Sequence, residues 1–469
     1  MSTFSGLGTA ASALAAARRG MDVVGQNIAN QGTEGYTRQR VSTSAIPAAT
    51  LSTRFAAGAA PGHGVSVDGI ARLGDALLDA RVRESSSSAG YWSARALAAT
   101  AAEATMAEPG EHGLSARLSR FWAGWQDLGI APDSGAAAAV VFESAAQLAA
   151  QIAGGYRAMT TQWSDTRAGA ERAVTQINAT ATQIAELNAE IRDALASGRS
   201  ANELIDRRDG LVQTAARLVG ARGTLEADGT MTVRVDGNAL VSGDSARALA
   251  LSGPASMDEN GAMTVSWSGA SGFAVAVDGG ELGGMLSVLA PADDGGTLAG
   301  IAHSYNTVAT ALAEMVNAQH RLGETASGQP GGDFFSLSAT GPAALGLAVV
   351  VQDPSDLALA KPGGGPLDAG NANAISEIGR SALSPDARWT GAVGAFAVST
   401  AGDIQRAQLS GAAAVTAVTA QRSVAAVDGD EETISLLTYQ SAYQAAARVL
   451  TAVDESLDVL INRTGLVGR

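Results

Sequence analysis

Cysteine is missing from all 469 residues, which removes disulfide frames, thiol nucleophiles and thiolate zinc sites from consideration. Lysine is almost missing as well: Lys361 stands alone, and the arginines that carry the remaining positive charge form no cluster. A net charge of −15 therefore argues against nucleic acid as a partner, because that binding is driven by grouped cations displacing counterions from phosphates. Aromatic residues make up only 4% of the chain. A core has to come from alanine, valine and leucine on long surfaces, which suits elongated helical packing better than a thick globule. No stretch reaches eighteen uninterrupted apolar residues, so no membrane insertion is expected. In MSTFSGLGTAASALAAARRGMD the arginines Arg18 and Arg19 follow the apolar residues instead of preceding them, the reverse of a secretory signal. Any export is expected to run without a cleaved signal peptide.

The patterns that resemble reactive sites fail on context. GLGTAA (6 to 11) has the spacing of a dinucleotide loop, but only five residues precede it and the required strand has no room. His63, His112, His303 and His320 are far apart and lie in no ligand spacing, so they are read as solvent or loop histidines and no metal or other cofactor is expected. The carboxylates of EIRD (190 to 193) and IDRRDG (205 to 210) lie among Arg192, Arg207 and Arg208, which reads as an ion-paired helix face rather than an acid–base pair. No catalytic residue is assigned, and the chain is not expected to be an enzyme.

What the sequence has is helical periodicity, strongest at its two ends. Phe4, Leu7, Ala11, Leu14, Ala17, Met21, Val24 and Ile28 recur at steps of three and four, which predicts an amphipathic helix to about residue 30. Near the other end Leu436, Tyr439, Tyr443, Ala446, Leu450, Val453, Leu457 and Leu460 alternate steps of three and four without a miss. That is the seam of a coiled coil, and it needs a partner: the other terminus or another subunit. Asp428, Asp430, Glu431 and Glu432 suit the first turn of this second helix, where carboxylates meet free N–H groups.

The predicted architecture is mainly α with β insertions: an elongated multi-domain chain with a long helical body and a small antiparallel β domain. Residues 1–35 form the N-terminal helix unit, and 36–220 an extended loop and strand segment leading, from about residue 88, into a long-helix body. Val174, Ile177, Ala181, Ile184, Asn188, Ile191 and Leu195 continue the helical stepping there with one polar interruption. In 221–295, MTVRV and FAVAV lie between turn signals such as VDGN and VDGG, the pattern of hairpins, and predict a β insertion standing out from the helices. A helical body with β segments follows over 296–425, with loops around KPGGGP and SPDARW, and 426–469 is the C-terminal coiled-coil helix.

The junction after the first helix, QNIANQGTEGYTRQR (26 to 40), carries a resemblance. NIAN followed by T-x-GY is similar to the signature shared by axial proteins of the bacterial flagellum, the rod, hook and hook-associated proteins. GYTRQR continues as in the hook-associated branch that joins hook to filament, whereas rod and hook proteins usually carry lysine after GY. GHGV (62 to 65), RLGDALL (72 to 78), INATATQIAELNAEI (177 to 191), NELIDRRD (202 to 209), DGTMTVRVDGNALVSG (228 to 243), GGELGGML (279 to 286), MVNAQH (315 to 320), GGDFF (331 to 335) and the final helix match the same branch in order. VDGDEE departs from it, since the family reads closer to GVSLDEE there.

The resemblance implies a structural adaptor at the hook–filament junction, exported by the flagellar type III apparatus and assembled as a ring of identical subunits. It implies contacts with the hook protein, with a second junction protein, and beforehand with an export chaperone on the C-terminal helix. Phe4, Leu7, Leu14, Met21, Asn27, Ile28, Asn30, Leu436, Tyr439, Tyr443, Leu450, Val453, Leu457 and Leu460 are the expected assembly interface, and Gly32, Thr33, Gly35 and Tyr36 the elbow between inner helix and outer domains. Isolated helices of this kind are marginal in water, so the ends are expected to be disordered in the monomer and to fold on assembly. A hook or rod protein, or an enzyme housed in the β insertion, are the competing readings.

Overall fold

A computed structural model describes residues 3–47, 62–259, 261–269 and 273–463; the side chains of Thr3, Phe4, Leu460 and Arg463 lie outside that description. The chain begins with α1 (Thr3–Ala29), followed by the antiparallel hairpin β1 (Gln39–Ala45) and β2 (Val65–Arg72), with a register shift between Ser42 and Thr43. Four helices come next: α2 (Ala76–Met106), α3 (Leu114–Ile130), α4 (Gly135–Ala196) and α5 (Asn202–Val219). Two antiparallel meanders then follow. One is β3 (Arg222–Leu225), β4 (Met231–Val235), β5 (Asn238–Ser242) and β6 (Ser245–Ala246); the other is β7 (Leu249–Ser252), β8 (Thr264–Trp267) and β9 (Ala274–Val275). The chain returns through α6 (Gly280–Leu289), α7 (Thr297–His320), β10 (Phe335–Ser336), α8 (Ala343–Gly346), β11 (Ala348–Val349), α9 (Gly370–Ser376), α10 (Pro385–Ala425) and α11 (Gly429–Asp458). The mainly helical class with small antiparallel sheets is the one the sequence predicts.

Local chemistry sets the helix ends. Asp75 accepts from the amides of Leu77 and Leu78, so α2 starts about twelve residues before the region in which helix is predicted. SPDARW is a helix start and not a loop: Ser384 accepts from Ala387 and Pro385 occupies the first turn of α10, where its missing N–H costs nothing. Asp428 caps α11 through the amides of Asp430 and Glu431.

One apolar cluster holds α3 to α7, both meanders and the start of α10 together, with Phe121, Trp125, Trp163, Phe334, Phe335 and Trp389 fully buried. The β insertion does not stand out from the helices. Met231, Val233, Val265 and Trp267 belong to the same cluster as Ile177, Ile184 and Val212, so the sheets are packed on α4. Two asparagines of α4 fix the register of that packing. Asn178 receives the Leu249 N–H at 2.8 Å and donates to its carbonyl at 2.9 Å. Asn188 does the same with Met231, at 2.9 Å each way, which is why the stepping pattern is interrupted there. Asn317 of α7 repeats the arrangement on Phe335, at 2.8 and 2.7 Å.

α4 is long and apolar enough, by length and composition, to cross a membrane. Its buried residues instead recur along the helix from Val141 to Ile191 and pack against the body. His320 corrects the reading of the histidines as solvent or loop residues. It is completely buried, its Nδ1 meets the Gly332 carbonyl at 2.8 Å and its Nε2 accepts the Ala358 N–H at 3.0 Å. That pairing requires a neutral ring protonated on Nδ1, and burial holds the imidazole below its ordinary value.

Candidate assembly site at the terminal helices and their elbow

α1 and α11 pair along their length and run antiparallel: Gly6 faces Val453, Gly20 faces Tyr439, and Asn27 meets Glu432. In the single chain both ends are thus helical and cover each other, and the seam that needs a partner finds it in the other terminus. On α11 Ala446 is buried, and Leu436, Tyr439, Tyr443, Leu450, Val453 and Leu457 are the partly covered positions facing α1. On α1 Leu7, Leu14 and Met21 are partly covered, while the most buried positions are Ala10, Ala17, Gly20, Val23, Val24 and Asn27. A Cβ at Gly20 would overlap the Tyr439 ring, so glycine is what lets the helices approach there.

Ile28 is the correction on this face. It is 39% exposed and Asn27, 1% exposed, takes the inward place. The reason is polar. Asn27 Nδ2 donates to the Gln39 carbonyl at 2.9 Å and to Glu432 Oε2 at 3.1 Å, while Oδ1 accepts from Tyr36 Oη at 2.9 Å and from Gln39 N at 3.0 Å. Both donors and both acceptor sites of the amide are used. Glu432, itself 2% exposed, also accepts from Arg38 Nε at 2.6 Å, and Arg38 Nη1 reaches Glu431 at 2.5 Å. The phenol of Tyr36 is pushed up to about 12 by burial first, and then by the negative charges of Asp206, Glu203 and Glu432. It therefore stays a donor to Asn27.

The elbow is a run of short hydrogen-bonded turns. Asn30 closes the helix on Gln26 through both its backbone and its side chain; Thr33 N–H returns to the Asn30 carbonyl at 3.0 Å, and Tyr36 N–H to the Thr33 carbonyl at 3.3 Å. Gly35 takes φ +79°, a value that favours glycine; Gly32 lies in the preceding turn without entering the left-handed region.

Beyond the elbow, the hairpin faces α5. Thr37 N–H donates to Asp206 at 3.1 Å, Arg72 pairs with Asp206 at 2.6 Å and Asp209 at 3.1 Å, and Asn202 bonds Gln39 and the Ile70 carbonyl. A cleft of about 960 Å³ opens between the elbow, α2, α5 and the end of α10. Arg38, Arg72, Glu432, Asp206 and Asp209 were not singled out as site residues by sequence reasoning. The available signals were the arginine after GY and the carboxylates of IDRRDG and DGDEE, whose partners lie up to 405 positions away. Among the described residues no group of three or more histidines and carboxylates could hold a metal ion.

α11 also carries exposed apolar side chains outside the seam. Ile434, 65% exposed, Leu437, 58% exposed, and Val449, 51% exposed, lie off the seam, with Leu437 turned furthest from it.

Three family models match the chain: the flagellar hook-associated protein FlgK helical domain over residues 99–335, the flagellar basal body rod FlgEFG protein C-terminal region over 423–463, and the flagella basal body rod protein over 7–37. Flagellar hook-associated protein 1 of Bacillus subtilis is 27% identical over the full length of both chains. Its counterpart in Salmonella typhimurium is 30% identical over 70% of this chain and 59% of its own length. Among solved structures, the flagellar hook junction protein FlgK from Burkholderia pseudomallei aligns with a TM-score of 0.61 at 17% identity, covering 74% of this chain and all of that one. The last likeness is one of fold.

Proposed function

We propose, from the premise that this chain belongs to the flagellar hook-associated protein FlgK family, that it is a structural adaptor joining the flagellar hook to the filament. The observation that carries this reading is the pair of terminal helices with one seam closed inside the chain and apolar side chains such as Leu437 left exposed on α11. Burying a side chain such as Leu437 contributes about 1.5–3 kcal/mol, so several together are enough to drive association between copies. In a ring of identical subunits these side chains meet the neighbouring copy, the paired helices line an inner tube, and the body lies outward.

The hook protein and a second junction protein are the partners on either side of the ring. The exposed apolar side chains of α11 also give an export chaperone a surface to cover before assembly, on the way through the flagellar type III apparatus to the outside of the cell. The work is structural and asks for no catalysis. A rod or hook protein is the second reading, because both end segments match rod-protein models. The match of residues 99–335 to the hook-associated helical domain favours the junction.

The test is electron microscopy of a deletion strain complemented with Leu437→Asp. Hooks without filaments, with flagellin lost to the medium, are expected for the deletion and for the variant, whose purified form keeps its helical circular dichroism. Normal filaments on the variant would remove the outer face of α11 as the contact. Normal filaments on the deletion strain would end the junction reading itself.

A further inference from the structure

The arm, made of α1, α11 and the β1–β2 hairpin, is tied to the body by polar groups. The body's apolar cluster runs from Ala99 to Phe396 and, among the described residues, takes in no side chain of the arm. Interfaces of this composition move unless something specific holds them. The chain crosses between arm and body at residues 73–75 and again at 426–428. The Arg38 peptide stitches the crossings side by side: its N–H donates to the Ala425 carbonyl at 2.8 Å, and its carbonyl accepts from Leu73 N–H at 2.9 Å. Two adjacent crossings define an axis of rotation, the geometry of a hinge at element ends.

Beside that axis, at the open end of the hairpin, two arginines are bound to opposite parties. Arg38 holds the arm through Glu431 and Glu432, against the fully used amide of Asn27. Arg72 holds the body through Asp206 and Asp209 of α5. The two attachments are unequal. The first has a buried centre in Asn27 and Glu432, although its Arg38 and Glu431 reach solvent at 21% and 62% exposure. The second lines the open cleft, together with Thr37 and Arg83. Burial holds the Asp206 carboxyl above its usual range against the pull of Arg72, so this pair carries a desolvation cost that its attraction does not fully offset.

We infer that the β1–β2 hairpin is a hinge plate fixed to the terminal helices and latched to the body by Arg72, with the cleft beside α5 as the space into which it turns. The latch sets one angle between arm and body at rest and yields before the arm's own hub does. A part lying between a hook and a filament has a use for such a joint, but the geometry does not depend on that reading.

The absence of cysteine makes the measurement direct. Ala15→Cys on α1 and Thr175→Cys on α4, both exposed, take a pair of spin labels in the full chain, and pulsed electron paramagnetic resonance gives their distance distribution. The parent is expected to give a narrow distribution, and Arg72→Met one broader by about twofold with unchanged helical circular dichroism. Asp206→Asn, which keeps an acceptor for the Thr37 N–H and leaves Asp209 with Arg208, is the milder variant and is expected to fall between them. Exchanging the charges, Arg72→Asp with Asp206→Arg, is expected to restore the narrow distribution. A parent already as broad as Arg72→Met, or an Arg72→Met and Asp206→Asn pair both as narrow as the parent, overturns the latch. Filament growth plays no part in these outcomes, so they separate from those of the junction reading.

Discussion

α4 and α11 share a stepping of three and four residues, yet they end in different surroundings. α4 lies against α3, α5, α7 and both meanders and buries Ile152, Ile177 and Ile184 completely. α11 has α1 along its seam, and Glu432 and Ala446 are the residues it buries. The same periodicity therefore builds a core helix or one half of a thin pair. What decides is the opposite face, which on α4 receives sheets and on α11 is left open. In the body polar side chains orient an apolar cluster; in the arm an apolar seam is anchored at one end by a polar hub.

The contrast breaks most visibly in the body. Phe121 touches Trp122, Trp125, Phe334 and Phe335, and Phe121→Ala is expected to cost about 3–5 kcal/mol in chemical denaturation. A loss that small-residue repacking reduced to nothing would mean the cluster is not the source of the body's stability. In the arm the corresponding change is Asn27→Ala, which strands the Gln39 backbone and the buried Glu432. About 1–3 kcal/mol is expected, confined to α1, α11 and the hairpin as faster amide exchange while α4 keeps its protection. Equal acceleration in α4 would show that arm and body unfold as one unit.

The gentlest probe is pH. His320 has its folded value below the unfolded 6.5, so as pH falls the unfolded chain takes up the proton first. Its contribution is present above 6.5 and is lost as pH drops toward the folded value, with a slope of at most about 1.4 kcal/mol per pH unit. Denaturation midpoints of the parent should fall over that window, and those of His320→Gln should fall less. Parallel curves for the two would remove His320 as the cause.

Much of the frame was legible because it is local. The seam residues from Leu436 to Leu457 face α1 as their spacing says, and MTVRV is strand β4 to the residue. Ser384 with Pro385 is equally local, but a proline read as a loop signal hid a helix start. The inward turn of Asn27 at the expense of Ile28 was not legible in the same way, since it depends on Glu432 and on the Gln39 backbone, brought together only by the antiparallel pairing. His320 and the meanders belong with it. An isolated histidine and a set of short strands do not declare what they rest on until α7 and α4 supply it.

Asn27, Asn178, Asn188 and Asn317 each give a helix the same extra ability. A side-chain amide is a copy of a peptide group, and at all four positions it meets the N–H and C=O of a single residue, Gln39, Leu249, Met231 and Phe335, as the next strand of a sheet would. One side chain thereby translates between two secondary-structure alphabets that otherwise share no common edge. The four positions should also share a forbidden list: aspartate loses the donor, leucine loses both groups, and glutamine carries the right groups one carbon too far.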